Sequence, residues 1–436
     1  MCPCVDDMVD PQAKRQRDSC GSRLVLRRLS SRRQLTRVVS VLVVVLGLYR
    51  ALLGPYIGRF KYRQRLSPPV SEVAQAATAA AVDATGVTAL LAVLQRRETR
   101  RHLIIHVQYG LGNRLRALAS AMSVAAARHM PMLVVWARDA HCNCSFSELF
   151  DASTVGRFAL LDAPAGPWEA ELWAAVQADE ATFEAHSYMR EDGCGPSAAD
   201  RAWLAREDPT QHLFVRSAYL LNHARGDWMY ARWQLHSLRP RAELAAQLVA
   251  TRDMVGLHVR SVVDAGAAYG TTPVAIQREW RSKGDWPQFV ERMRREPAGT
   301  TFYLAADGQA AYDGLLAAFP GRVVITRRAC PSGQGAGCEA RDAASVRTAL
   351  VDMLNLARTR RILGSGYSSF SEAARFYGST HSLLFDRGAP AGDSGWEWFH
   401  SLPEFETAGV DFGEAVSVVS NETTRLLAKG HLRTVV

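Results

Sequence analysis

Hydrophobic residues along the chain follow two periods, one typical of buried strands and one typical of helices. Leu103–Val107 is a short apolar run with one histidine, the pattern of a strand covered on both faces of a parallel sheet. After a pair of glycines, Leu115, Leu118 and Met122 recur at the spacing of one helix face. This part of the chain therefore predicts a strand, a tight turn and a helix.

The same alternation returns in the second half of the chain. It predicts strands at 254–259, 301–305, 322–326 and 361–363, and helices at 286–295, 312–319, 343–359 and 371–376. Strands that alternate with helices form βαβ units and a parallel sheet. Because 436 residues exceed one ordinary core, we predict an α/β protein with two such domains, at 102–240 and 241–436.

The turn after the first strand is a candidate anion site. Gly110 and Gly112 lack a Cβ atom, so they can adopt positive φ and let a ligand approach the backbone closely. Asn113 is a good N-cap, and a helix that starts there offers free N–H groups to a pyrophosphate. The alternative is that this Gly-x-Gly is only a tight turn, since short glycine patterns are weak signals.

Polar residues stand where the predicted strands of the second half end. In parallel sheets ligands bind at the carboxyl ends of the strands. The residues at these ends are His258, Arg260, Asp307, Ser365, Ser368 and Ser369. Each also has an ordinary explanation, such as a surface salt bridge, a turn or a helix cap. Residues 102–436 contain no Asp-x-Asp pair, so arginine rather than a metal ion is expected to meet a phosphate.

Charge divides the chain near residue 101. Residues 1–101 carry 18 Lys and Arg against 7 Asp and Glu, whereas residues 102–436 carry 34 against 36. The net charge of +9 therefore belongs to the N-terminal segment. A folded part without a positive excess lacks the electrostatic footprint of nucleic-acid binding, so we expect no nucleic-acid partner.

The N-terminal segment has the pattern of a membrane anchor. A basic tail at 1–37 precedes the apolar stretch Val38–Gly58, which is long enough to cross a bilayer as a helix. Positive charge before the span favours a cytoplasmic N-terminus. We therefore expect an uncleaved signal anchor in an ER or Golgi membrane, with the remainder lumenal, and a stem at 59–101 with little apolar surface to bury. A cleaved signal peptide and an organelle transit peptide are the alternatives.

Five cysteines follow the stem, and a lumenal location favours disulfides. Cys330 and Cys338 flank a glycine-rich loop and are the pair expected to be bonded, while Cys194 has Cys142 or Cys144 as partner. The spacing Cys142-x-Cys144 lacks the spacer of zinc sites, so no metal is expected.

Four motifs in the order of the chain resemble those of a known family. They are Tyr109–Arg114, His258–Arg260 with Asp264, Leu304–Asp307 and Gly364–Ser371. They resemble the fucosyltransferase superfamily that includes the protein O-fucosyltransferases and the α1,6-fucosyltransferases, over roughly residues 102–380. The resemblance implies a GT-B arrangement, in which two Rossmann-like domains face each other across a cleft and the second holds most of GDP-fucose. It also implies an inverting, metal-independent, type II membrane enzyme of the ER or Golgi that needs no cofactor.

The resemblance assigns roles to individual residues. Arg260 matches the arginine that contacts the donor phosphate, where negative charge develops as the sugar leaves. His258 and Asp307 match contacts to guanine or ribose, and Ser368 and Ser369 match phosphate-binding serines. The other matched donor-binding positions are Gly110, Gly112, Asn113, Arg114 and Ser365.

The chain departs from the family pattern in two respects. Relatives carry a second arginine soon after the first, whereas Ser261 follows Arg260, so Arg114 or Arg116 is left to help with the second phosphate. The base that deprotonates the acceptor hydroxyl is unassigned, and Asp264 and Glu279 are candidates by proximity in sequence.

The functional expectation is a transferase that moves fucose from GDP-fucose to a glycan or protein acceptor. Two alternatives remain. One is a transferase of the same fold that uses another nucleotide sugar, since no motif recognises the sugar itself. The other is a lumenal carbohydrate- or nucleotide-binding protein that lacks turnover, which the missing second arginine favours.

Overall fold

The computed structural model contains two parallel sheets and describes only part of the chain. The described residues are 72–80, 84–96, 99–189, 211–262, 278, 281–282, 284–326, 341–365, 368–378 and 404–408. The expected anchor at 38–58, the expected pair Cys330–Cys338 and the candidate bases Asp264 and Glu279 lie outside these residues. Within the described ranges, no helix combines the length and the apolar character that a membrane span requires.

The first sheet is built around the strand that the sequence predicts most clearly. Its five strands are β1 (Leu103–Val107), β2 (Met132–Arg138), β3 (Ala159–Pro164), β4 (Phe183–Ser187) and β5 (His212–Ser217). They are parallel throughout, in the order β3-β2-β1-β5-β4. Every residue of β1 is buried, as expected for the central strand of a parallel sheet.

Helices cover both faces of this sheet. They are α1 (Glu72–Ala80), α2 (Ala84–Leu94), α3 (Leu111–Ala127), α4 (Phe146–Leu149), α5 (Ala152–Val155), α6 (Pro167–Ala178), α7 (Trp228–His236) and α8 (Ala242–Ala245). The expectation of a stem with little to bury is wrong for residues 72–94. Val73, Ala77, Leu90 and Leu94 are buried against the sheet, because the alanine-rich stretch carries an apolar helix face.

The second sheet confirms the strands predicted after residue 240. Its strands are β6 (Val255–Val259), β7 (Phe302–Ala306), β8 (Val323–Ile325), β9 (Arg361–Ser365) and β10 (Glu404–Ala408), all parallel in the order β10-β9-β6-β7-β8. The helices are α9 (Trp286–Arg294), α10 (Gln309–Ala318), α11 (Ala343–Arg358) and α12 (Ser369–Tyr377). Helices α10 and α12 begin two or three residues earlier than predicted.

The two sheets share one core. Ile105 and Trp136 of the first sheet belong to the same buried cluster as Tyr303 and Ile362 of the second, with Leu350 of α11 among them. We call the first sheet with α1–α8 the first lobe and the second sheet with α9–α12 the second lobe. Helix α12 follows β9 of the second sheet but packs on α3 and α7 of the first lobe. The start of α12 is therefore held between the two sheets.

Candidate functional site

The carboxyl ends of three strands in the second sheet lie side by side. The register pairs His258 of β6 with Ala305 of β7 on one side and with Gly364 of β9 on the other. Residues that follow these positions are consequently neighbours. The structure thus brings together Arg260, Asp307 and Ser365, as the strand-end pattern predicts.

Ser365 holds these strand ends together. Its buried Oγ accepts a hydrogen bond from the Arg260 backbone N–H at 2.9 Å and donates to the carbonyl of Gly284 at 2.7 Å. The hydroxyl is therefore used within the protein. Ser365 fixes the point at which Arg260 leaves the sheet, instead of contacting a donor as the resemblance implies.

The charges of two arginines, Arg260 and Arg281, act on Asp307. Its Oδ1 accepts the backbone N–H groups of Ser261 at 2.9 Å and Val262 at 3.4 Å, which fixes the chain after β6. Burial raises the pKa of Asp307, while the Ser261 N–H and the charges of Arg260 and Arg281 lower it. Arg281, 9% exposed, is a cation of this site that no sequence motif marks, because only the fold brings it to Asp307.

His258 connects β6 to the start of α12. Its Nδ1 lies 2.6 Å from the Ser371 hydroxyl, and its ring stacks on Phe370 with centroids 4.8 Å apart. The residue is only 6% exposed. In this structure His258 therefore positions α12 against the sheet, whereas the resemblance implies a contact to guanine or ribose.

The first turn of α12 has no side-chain cap. Ser368 is the N-cap residue, yet its side chain makes no hydrogen bond to the helix. Its Oγ is buried and has no hydrogen-bond partner among the described residues. Ser369 begins the nine-residue helix. Free N–H groups at a helix start favour an anion, so both serines lie where the resemblance implies a phosphate.

The starts of α3 and α12 touch at Gly112. A Cβ atom on Gly112 would lie 2.9 Å from backbone atoms of Ser369 and Phe370, closer than real contacts allow. Glycine is thus required for the approach of two helix starts, rather than of a ligand as predicted. Positive φ is also absent from both glycines of the turn and occurs instead at Tyr109, at +66°.

The expected N-cap of this turn is wrong. Gly110 is the N-cap of α3, so Asn113 lies inside the helix, where its Oδ1 accepts from Arg116 at 2.9 Å. Arg114 is fully buried. It pairs with Asp139 at 2.9 Å and donates to the carbonyl of Tyr109 at 2.6 Å. Its guanidinium therefore holds the turn in place.

Arg116 also makes an ion pair and hydrogen bonds within the protein. It pairs with Glu372 of α12 at 2.9 Å and also donates to the carbonyl of Ala218. Glu372 accepts a second hydrogen bond from the indole N–H of Trp228 at 2.6 Å. Arg116 therefore links α3 to α12, and the contact to the second phosphate suggested by the sequence stays a prediction.

Cys142 and Cys144 are buried free thiols. The alternative in which one of them is bonded to Cys194 is therefore not supported. Burial raises the pKa of the Cys142 thiol to about 11, so it is protonated at neutral pH.

Comparisons with known proteins find similarity only to solved structures. No protein-family model and no curated protein sequence matches the chain. The chain is similar to NodZ alpha-1,6-fucosyltransferase soaked with GDP-fucose, at 18% identity and a TM-score of 0.42, over 64% of this chain and 93% of that one. A structure of fucosyltransferase NodZ from Bradyrhizobium has 20% identity and a TM-score of 0.42, over 64% of this chain and 93% of that one.

Two further similar structures are fucosyltransferases. A mutant of Arabidopsis thaliana FUT1 in complex with GDP has 14% identity and a TM-score of 0.42, over 74% of this chain and 81% of that one. POFUT1 in complex with GDP-fucose has 13% identity and a TM-score of 0.40, over 71% and 99%. These solved structures belong to the class that the sequence motifs resemble. Such identities and TM-scores are too low to assign an activity to this chain.

Proposed function

We propose that the chain is a glycosyltransferase that binds the diphosphate of GDP-fucose where α3 and α12 meet beside Arg260. The observation that carries this proposal is the contact of two helix starts at Gly112. Each helix start carries a partial positive charge of about half an elementary charge. Two such starts next to Arg260 make a site that favours an anion, and the uncapped hydroxyl of Ser368 adds a donor.

The proposed chemistry is an inverting transfer without a metal ion. The bond from the sugar C1 to the diphosphate oxygen breaks, and its electron pair stays on the diphosphate. Arg260 meets that charge, and Arg281 takes the part that the sequence left to Arg114 or Arg116. The acceptor oxygen forms the new bond on the opposite face and gives its proton to a carboxylate, for which Asp264 is proposed.

The wider setting is part of the same proposal. We place the enzyme in an ER or Golgi membrane through the anchor at 38–58, with a GT-B arrangement and a glycan or glycoprotein as acceptor. The basic tail before the span and the lack of positive excess after it support this placement.

A nucleotide-binding protein without turnover is the second candidate. Arg114 and Arg116 are both engaged within the protein, which leaves fewer cations for the leaving diphosphate than the resemblance implies. Such a protein would bind GDP but would not release it from a nucleotide sugar.

The test is GDP release by the full-length protein from GDP-fucose, beside GDP-mannose and UDP-galactose. Wild type should release GDP from GDP-fucose, and Arg260→Ala should not. Arg295→Ala is the matched control, because Arg295 is exposed directly after α9 and, in the part of the chain that the structure describes, its ion pair is with Glu291 of that helix. Binding of GDP without release from any nucleotide sugar would favour the second candidate. Lack of binding to any guanine nucleotide would exclude both.

A further inference from the structure

A cavity opens at the carboxyl ends of β2 and β3 in the first sheet. Its volume is about 580 Å³, within the size range of small-molecule sites. Its walls come from the strand ends (Arg138, Pro164), the loop after β2 (Asp139, Asn143) and the residues before α11 (Arg341, Asp342). The cavity is therefore lined by both lobes, and the proposed donor site does not use it.

One loop separates this cavity from the proposed donor site. The carbonyl oxygen of His141 lies 3.9 Å from the position of a Cβ atom on Gly110, and the Tyr109 ring meets the His141 ring at 5.3 Å. The same turn carries Gly112, which touches the start of α12. A molecule in the cavity would thus lie next to the turn that borders the donor.

Three of the four charged side chains in the cavity wall have partners within the protein. Asp139 pairs with Arg114 at 2.9 Å, and Arg138 lies 3.4 Å from Asp162. Asp342 accepts the Ser345 N–H at 2.8 Å, which caps α11. These groups are held in fixed positions by their partners.

Arg341 is different from the other charged residues of the wall. Its carbonyl accepts the Asn143 N–H at 2.9 Å, which fixes its backbone at the cavity. No hydrogen bond or ion pair joins its guanidinium to another residue in the described part of the chain. The wall thus offers the guanidinium donors of Arg341 and the exposed amide of Asn143.

The composition of the wall restricts the ligand. It contains no aromatic or large aliphatic side chain, so an apolar peptide or a lipid tail would gain little by binding. Carboxylate, amide and guanidinium groups together supply both acceptors and donors for hydroxyl groups. We propose that this cavity binds the acceptor as a neutral oligosaccharide, with Arg341 and Asn143 contacting its hydroxyls. This inference rests on the proposed function.

The test measures binding of neutral tetrasaccharides to the full-length protein by calorimetry, with cellotetraose, maltotetraose and chitotetraose as probes. Wild type should bind at least one of them. Arg341→Ala should weaken that binding by at least tenfold, and Arg295→Ala should leave it unchanged. Ala165→Trp fills the cavity from an exposed position of its wall and should abolish binding. The affinity for GDP should be unchanged in all three variants.

Two outcomes would overturn the inference. One is a wild-type protein that binds none of the three tetrasaccharides. The other is unchanged binding in Arg341→Ala and Ala165→Trp. GDP binding separates this failure from failure of the proposed function, because it is measured without any oligosaccharide and depends on Arg260.

Discussion

The carboxyl ends of the two parallel sheets use charged side chains in different ways. Near these ends the first lobe has four ion pairs, which are His106–Glu169, Arg114–Asp139, Arg116–Glu372 and Arg138–Asp162. At the second sheet, Arg260 and Arg281 lie near one carboxylate, that of Asp307. The carboxyl ends of the first sheet therefore carry ion pairs that hold loops, whereas at the second sheet the charges of two arginines act on one carboxylate.

Removal of a paired arginine should have the largest effect, and that effect should be on stability. Arg114→Ala leaves Asp139 without its partner and deprives the carbonyl of Tyr109 of its donor. Breaking a buried pair costs about 3–5 kcal/mol, so the free energy of unfolding should fall by about that amount. Urea unfolding followed by circular dichroism measures it. A loss below about 1 kcal/mol would show that the pair does not hold the turn.

The second sheet should show the reverse pattern. Arg260→Ala should lower the free energy of unfolding by less than Arg114→Ala does, since alanine keeps the backbone N–H that Ser365 accepts and Arg260 is only half-buried, whereas Arg114 is fully buried. GDP release should fall at least about 100-fold, or about 3 kcal/mol, because a charge on the leaving diphosphate loses its partner. Parallel unfolding and release assays of the two arginine variants test this. Equal losses of stability in both variants would remove the distinction between the sheets.

The strands and strand-end residues of the second sheet can be predicted from the sequence, whereas most contacts of the first lobe cannot. The strands there are local runs of apolar residues, so their limits are predicted to within a few residues. The polar residues after them become neighbours through the register of a parallel sheet, so the sequence pattern correctly groups Arg260 with Asp307. Arg281 follows no strand, so only the folded chain brings it to Asp307.

The first lobe was predicted less well, because its important contacts join distant parts of the chain. Arg114 was expected to face a donor, but its partner Asp139 lies beyond the next strand. Gly112 was expected to approach a ligand, but it approaches a helix that begins more than 250 residues later. Local sequence shows that these residues are special, whereas their partners depend on the tertiary fold.

The pH dependence of stability offers a smaller test of the pairs in the first lobe. Burial raises the pKa of Asp162 to about 6, while the Phe146 N–H and the charge of Arg138 lower it. A raised pKa means that the folded state holds its proton more tightly than the unfolded state. The stability that Asp162 contributes is therefore present below about pH 4 and lost as pH rises to about 6.

Asp162→Asn should remove this dependence, since asparagine keeps an acceptor for Phe146. The unfolding free energy of the variant relative to wild type should rise by about 2–3 kcal/mol between pH 4 and pH 7. Urea unfolding across this range measures the difference. The comparison with wild type matters because burial lowers the pKa of His102 and of His212 to about 4, which makes the protein less stable in acid. A constant difference at all pH values would contradict the expected shift.

The smallest expected effect concerns the uncapped serine at the start of α12. Ser368→Ala removes a buried hydroxyl that has no partner among the described residues, so the unfolding free energy should stay the same or rise slightly. If that hydroxyl donates to the diphosphate, GDP should bind Ser368→Ala about five- to tenfold more weakly than wild type. This change corresponds to the loss of one hydrogen bond worth about 1 kcal/mol. Ser345→Ala is the control for loss of a hydroxyl at a helix start, because alanine keeps the backbone N–H that Ser345 donates to Asp342 at the start of α11. Unchanged GDP affinity in Ser368→Ala would show that the start of α12 has a structural role, as the ion pairs of the first lobe do, and does not bind the anion through this hydroxyl. Weaker binding without loss of stability would make that start part of the anion site.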